Sequence, residues 1–261
     1  AAELTATGWL NNPASGLVVL YDGQSVACRH IEVPDRPDRE LESIVRMQAE
    51  AMLPLEPQEL EIGWRQSHSS HGKVGVTLAA IKRDNIKSFA EEAAAVKPAR
   101  IVLEIDGFVR AWCEACSFEG ASPILIRIRD NATDVCLVEN GLLSLASRID
   151  TGIKDLFKDQ TLSVPDAEQL KNDFEAAAAL FAAGKDRRFY IVSDGSANIA
   201  AVSSYLSAAG LSVQVSSPRG WAARDGAAIS AAELYQYMAH AGAAMLVLEG
   251  TRELNIFSRL Y

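Results

Sequence analysis

The chain has 261 residues, 49% hydrophobic and 23% charged, the balance of a globular protein with apolar surface for one large or two modest cores. Its formal net charge of -9 leaves no broad basic surface for counterion-release binding, which excludes DNA and RNA as expected ligands. The strongest apolar run, Gly242 to Leu248, is far short of the roughly 20 residues of a membrane span, so the chain as given is expected to be soluble. Four cysteines, Cys28, Cys113, Cys116 and Cys136, are too few and too irregular for a disulfide scaffold and point to a reducing compartment. The chain opens Ala1-Ala2-Glu3 with no signal-peptide pattern and no Met, as expected of a processed piece or fragment.

Leu17 to Leu20 and Ser25 to Val33 read as two strands around Asp22-Gly23, a dipeptide that commonly closes a hairpin. From Asp38 the positions Leu41, Ile44, Val45, Ala49, Met52 and Leu53 recur at helical spacing until Pro54 stops the helix. Strands follow over Leu60 to Gln66 and Val74 to Ile81, joined by the polar loop Ser67 to Gly72. Asp84 is placed to cap a helix through Val96, before a strand from Arg100 to Ile105 and a helix from Gly107 to Cys116. Ile124 to Ile128, Asp134 to Glu139 and Leu142 to Ile149 form a three-strand meander with its turn at Asn140-Gly141, the strongest hairpin signal in the chain. A long helix is expected from Asp166, as its cap, to Ala183. Strand Phe189 to Val192, helix Asn198 to Ala209 and strand Leu211 to Val215 then make a parallel crossover. A final helix from Ala231 to Leu248 precedes a tail, Glu249 to Tyr261. The class is α/β, without low-complexity tracts or solenoid repeats.

No familiar catalytic motif appears. Cys113 and Cys116 share a helix face, but no second cysteine pair completes a zinc site, so core packing is expected. His68 and His71 fall in the Ser-rich loop and are expected to be solvated. The sequon Asn131-Ala132-Thr133 needs a secretory context that the chain lacks. Neither a dinucleotide fingerprint, a phosphate-cradling Gly-rich loop nor a nucleophile elbow occurs.

The order of elements and several strings nevertheless resemble one family. Arg29-His30-Ile31-Glu32-Val33-Pro34, the helix around Glu42 to Ala51, Leu53-Pro54-Leu55, Trp64, Ala79-Ala80-Ile81-Lys82, and Pro98 before Val102-Leu103-Glu104-Ile105-Asp106 resemble the first half of the PilM and GspL group of actin-like proteins. In the second half, Arg148-Ile149-Asp150-Thr151-Gly152 and Asp166-Ala167-Glu168-Gln169-Leu170-Lys171 resemble that group's strand exit and following helix. The resemblance spans residues 17 to 250. It implies a two-lobed, ribonuclease H-like actin fold of the kind shared by sugar kinases, heat-shock ATPases and FtsA. The implied division is a first lobe of residues 1–34 and 98–118, an inserted strand-helix-strand-strand subdomain for partner binding at 35–97, a second lobe at 119–250 and an apolar tail at 251–261.

The resemblance also locates the nucleotide loops. Residues 126–135 stand where actin-like proteins carry a second phosphate loop, but arginine (Arg127, Arg129) stands in place of the usual acid, Asp130 and Asn131 stand where the Gly-rich turn is expected, and Thr133 remains. Arginines attract an anion but do not hold Mg²⁺ as a carboxylate does, and the Asp130 and Asn131 side chains would crowd a phosphate approaching the backbone. Asp194, Gly195 and Ser196 stand at the adenosine loop, with Asp194 in place of a glycine. The first phosphate loop, an Asp-x-Gly opening the first strand, is not found, so the first lobe reads as incomplete at its N-terminus. Losing one loop and altering the other removes the preorganisation that phosphoryl transfer uses.

The resemblance therefore implies a scaffold without catalytic residues, metal or obligatory cofactor. It would work in the cytoplasm at the inner face of the inner membrane, in a type IV pilus or type II secretion platform. A PilM- or FtsA-like protein binding ATP and Mg²⁺ is the alternative, and a metabolite kinase of the same fold is the second. Implied partners are PilN-like or other inner-membrane assembly proteins, with a secretion ATPase and a second copy of the chain as further candidates; membrane contact would come through partners or a continuation beyond Tyr261. Leu254, Ile256 and Phe257, in a tail too apolar for a frayed end, resemble a short docking segment found beside the membrane helix of GspL or at the N-terminus of PilN.

Overall fold

The computed structural model describes residues 16–22, 26–52, 57–70, 72–96, 98–119, 122–181, 188–192, 196–218, 230–249, 254 and 256. The chain divides into two units, Ala1–Phe108 with Ala239–Tyr261, and Val109–Met238.

In the first unit, β1 (Val18–Tyr21) does not form the expected hairpin. It pairs in parallel with β5 (Arg100–Leu103), from Val18 opposite Arg100 to Tyr21 opposite Leu103. The sequence Val-Val-Leu-Tyr carries no alternation, which is the pattern of a strand covered on both faces, and this outweighs the local turn signal at Asp22-Gly23. β2 (Ala27–Pro34) pairs antiparallel with β4 (Lys73–Lys82), which pairs antiparallel with β3 (Leu60–Ser70).

Helix α1 (Asp38–Met52) buries Leu41, Val45 and Ala49, spaced by four, against Ile31, Val33, Val74, Val76, Leu78 and Ala80. β3 runs past Gln66 through a bulge, so His68 lies in a strand and not in a loop; His71 is outside the described residues. The turn closes at Gly72, whose φ of 73° suits glycine.

Helix α2 (Arg83–Ala94) follows β4 without a loop. Lys82 therefore takes the cap position with no side-chain cap bond, and Asp84, expected as the cap, sits inside the first turn, where its charge favours the helix N-terminus. Helix α3 (Glu104–Ala115) begins three residues before the expected Gly107. A Cβ on Gly107 would press into the carbonyl of Ala239 and lie 3.0 Å from the nitrogen of Ala243, residues of the last helix α7 (Ala231–Leu248).

The second unit is built on the expected meander. β6 (Ile124–Ile128), β7 (Thr133–Glu139) and β8 (Leu142–Ile149) pair antiparallel, with φ of 53° at Asn140 and 75° at Gly141, the left-handed pair of a primed hairpin turn. α4 (Ile153–Leu156), the ribbon β9 (Phe157–Lys158) and β10 (Thr161–Leu162), and α5 (Val164–Phe181) follow. α5 starts two residues before the expected cap Asp166, because Pro165 is tolerated in a first turn; the Ser163 carbonyl accepts from Ala167 N–H at 3.0 Å and Asp166 accepts from the Ser163 hydroxyl. β11 (Phe189–Val192) lies in parallel between β6 and β12 (Val213–Ser216), with α6 (Ala197–Ala208) as the crossover. Ile124, Ile126, Ile128, Val135 and Leu137 meet Leu170, Phe174, Ile199 and Val202 in the core of this unit.

Candidate functional site

Alternation along β6 decides where its arginines go. Ile124, Ile126 and Ile128 point into the core, so Arg127 points to the opposite face. There it lies directly across from Asp134 on β7, which in turn lies across from Arg148 on β8. Arg129 Nε reaches Asp134 Oδ2 at 3.2 Å, with both side chains largely buried. The Arg127 guanidinium stands 5.9 Å from the centre of the Tyr235 ring, a cation–π approach, and the Tyr235 hydroxyl donates to the Ile128 carbonyl at 3.3 Å. The arginines expected to face an incoming anion are thus engaged with an aspartate and a tyrosine of their own unit. Asp134, the centre of that arrangement, is the residue the sequence reading missed.

The turn from 129 to 132 is held from behind. Arg129 N–H donates to the Ala132 carbonyl at 2.8 Å, Ile153 N–H to the Arg129 carbonyl at 2.9 Å and Lys154 N–H to the Asp130 carbonyl at 3.0 Å. Thr133 Oγ1 donates to the Thr151 carbonyl at 2.7 Å, which ties the one retained loop residue to the strand exit. Gly152 lies so close that a Cβ there would be 2.5 Å from the backbone nitrogens of both Asn131 and Ala132. Protein backbone therefore occupies the space beside those two amides. The Asp130 side chain points outward to Lys154 Nζ at 3.2 Å, both well exposed.

The other expected site residues are dispersed. Ser196 is the N-cap of α6, its hydroxyl accepting from Ile199 N–H at 3.4 Å, while Asp194 and Gly195 lie outside the described residues. Leu254 and Ile256 are buried at 4% and 2% exposure, and Phe257 lies outside the described residues. Cys116 is buried, and burial pushes the Cys113 thiol up to about 12. Cys28, also buried, is pushed up to about 12 by burial and, secondarily, by the Asp106 charge. Among the described residues no group of three or more His, Cys, Asp or Glu is placed to hold a metal, and no helix is long and apolar enough to cross a membrane.

A second buried ion pair, in the first unit, was not legible in advance. Arg65 on β3 donates from Nη1 to Asp106 Oδ2 at 2.8 Å and from Nη2 to Oδ1 at 3.0 Å, a bidentate fork with side chains only 1% and 2% exposed. The available signal was the alternation in Leu60-Glu61-Ile62-Gly63-Trp64-Arg65, which puts Arg65 on the face opposite Leu60, Ile62 and Trp64.

No protein-family model matches the chain, and no curated protein is similar to it in sequence. Solved structures do resemble it. PilM in the PilM-PilN type IV pilus biogenesis complex superposes with a TM-score of 0.61 at 17% identity, over 90% of this chain and 79% of that one. The cytoplasmic domain of EpsL, an inner-membrane component of the type II secretion system of Vibrio cholerae, is a looser likeness, with a TM-score of 0.45 at 10% identity over 85% of this chain and 73% of the other. A Bacteroides thetaiotaomicron protein with an actin-like ATPase fold has the same TM-score and identity, over 90% and 80%. The fold is actin-like, as the order of elements implied.

Proposed function

We propose that the chain is a cytoplasmic assembly scaffold, working at the inner face of the inner membrane in a type IV pilus or type II secretion platform through protein contacts and without nucleotide turnover. The observation that carries this reading is the fold shared with PilM over nine-tenths of the chain, since that structure is of a complex with PilN. The partner is of the PilN type, and the contact surfaces are the inserted region 35–97 and the C-terminal tail. The absence of turnover is supported by Arg127 and Arg129, which stand where an acid is expected and are held by Tyr235 and Asp134 respectively. A guanidinium at that place repels Mg²⁺, where phosphoryl transfer needs a carboxylate to hold it.

Two measurements test the proposal. Titration of the chain with Mg-ATP in a calorimeter should give no saturable heat; a low-micromolar dissociation constant would establish the ATP-binding alternative. The immobilised chain should retain the cytoplasmic peptide of a PilN-type protein. Retention unchanged by charge-reversing substitutions on α1 and β3 would remove the inserted region from the interface.

A further inference from the structure

The last helix leaves an uncharged face in water. α7 buries Leu234, Met238, Ala239, Ala243 and Leu246 on one side. On the other, Tyr237 is 57% and Leu248 85% exposed, Ala244 is exposed and Ala241 half-buried. From Leu234 to Leu248 the sequence has no Asp, Glu, Lys or Arg, whereas a helix face turned to solvent ordinarily carries them. Tyr237, Ala241, Ala244 and Leu248 follow at spacings of four, three and four, the seam of a heptad pattern, in a line about 16 Å long on one helix face.

That seam reads the same from either end. Large side chains stand at its ends and alanines in its middle, so a second α7 laid antiparallel sets Tyr237 against Leu248 of the second copy, and Ala241 against Ala244 of the second copy. This is the relation that a twofold contact between identical chains requires, in which residue i meets j and j meets i. The sizes also suit it. Two helices that cross are nearest at the crossing and diverge from it, so alanines belong at the crossing and large side chains where the gap widens. Charge selects the orientation: Glu233, exposed one turn before Tyr237, would stand beside its own copy in a parallel pair, and the two lie at opposite ends of an antiparallel one.

We propose that α7 is a self-association surface, through which two copies of the chain pair antiparallel by Tyr237, Ala241, Ala244 and Leu248. A contact one helix wide and about 16 Å long is far smaller than the roughly 1,200–2,000 Å² of a stable complex, so the dimer is weak and depends on concentration. Each copy carries a formal net charge of -9, which opposes the approach, while the seam itself is uncharged. Added salt therefore favours the dimer. The contact uses none of the residues assigned above to a PilN-type partner.

Sedimentation velocity of the full chain over a rising concentration series should show a monomer–dimer equilibrium that shifts toward dimer with salt. Ala244→Glu, which puts a carboxylate at the crossing, should lower the association constant at least about tenfold, with circular dichroism unchanged because the position is exposed; Leu248→Glu is the second variant. Orientation is read separately. Tyr237→Cys and Leu248→Cys, mixed and treated with a short bismaleimide, should link to each other and neither to itself, with the unsubstituted chain as the control for Cys113. A single mass at every concentration overturns the inference, as does a dimer that salt dissociates or that both glutamate variants leave unchanged. Variants that each link to themselves and not to each other would show a parallel pair and overturn it also. All of these readouts come from the chain alone, so they are independent of whether a PilN-type protein binds.

Discussion

Asp106 and Asp134 are both aspartates that hold arginines, one in each unit, and they hold them in different ways. Asp106 faces one arginine through two parallel hydrogen bonds, and both side chains are sealed from water. Asp134 lies across from Arg127 and Arg148 and pairs with Arg129, at 9% and 17% side-chain exposure. Among the described residues the first aspartate is given to one arginine, and the second is shared among three. Depth and exclusivity, rather than the number of arginines, should decide what a substitution costs, because a sealed charge left without its partner has no water to turn to.

The largest effect should come from breaking the exclusive pair. Arg65→Ala leaves the Asp106 carboxylate in the core of the first unit, at an expected cost of about 3–5 kcal/mol in chemical denaturation. Adding Asp106→Ala to Arg65→Ala should recover part of that loss, since no charge then remains buried. A cost for Arg65→Ala below about 1 kcal/mol would mean that water reaches the pair, and the contrast with Asp134 would collapse.

Asp134→Asn should cost less, about 1–3 kcal/mol, the range for disturbing a buried hydrogen-bonded charge that keeps polar neighbours. Arg127 retains the Tyr235 ring, and the amide keeps an oxygen as an acceptor for Arg129. Urea midpoints of the two single variants, compared at equal slope, give the order directly. If Asp134→Asn proves the more damaging, the three arginines depend on its charge more than their partial exposure suggests.

This contrast also marks what could be read in the sequence. The spacing of Leu41, Val45 and Ala49, the Asn140-Gly141 turn, the crossover at β11 and β12, and the final helix were legible because each signal is local: a repeat, a turn dipeptide or a run of one polarity. The parallel partner of β1 lies some eighty residues away in sequence, and no local feature names it. Arg65 and Asp106 are separated by 41 positions and meet only through the packed unit. Asp134 was hidden by a subtler cause. Counting back from the turn, Glu139 pairs with Leu142, and strict register would set Asp134 beside Ser147. A bulge between Leu137 and Val138 moves the pairing by one, which brings Arg148 opposite. Side chains alternate between faces, so that single-residue shift turns an unremarkable serine neighbour into an arginine. The phosphate-loop residues, by contrast, could be placed by resemblance, but their engagement with Asp134 and Tyr235 could not.

The smallest effect should be at the tip of the β6–β7 hairpin, and it separates that turn from the cluster beneath it. Asp130 and Lys154 meet at 3.2 Å with side chains 75% and 64% exposed, so their attraction is screened and each loses rotamer freedom to make it. Asp130→Ala should change stability by no more than about 0.5 kcal/mol, a difference that vanishes in high salt. The backbone of residue 130 still accepts from Lys154 N–H, and Gly152 still lies against the turn, so the hairpin keeps its shape. Under the scaffold reading the variant also leaves Mg-ATP behaviour unchanged, because no step depends on that carboxylate. A variant that folds like the parent but loses a measurable ATPase rate would show that Asp130 does chemistry in spite of its solvent exposure. The hairpin would then be a working phosphate loop of unusual composition, and the cluster around Asp134 its support.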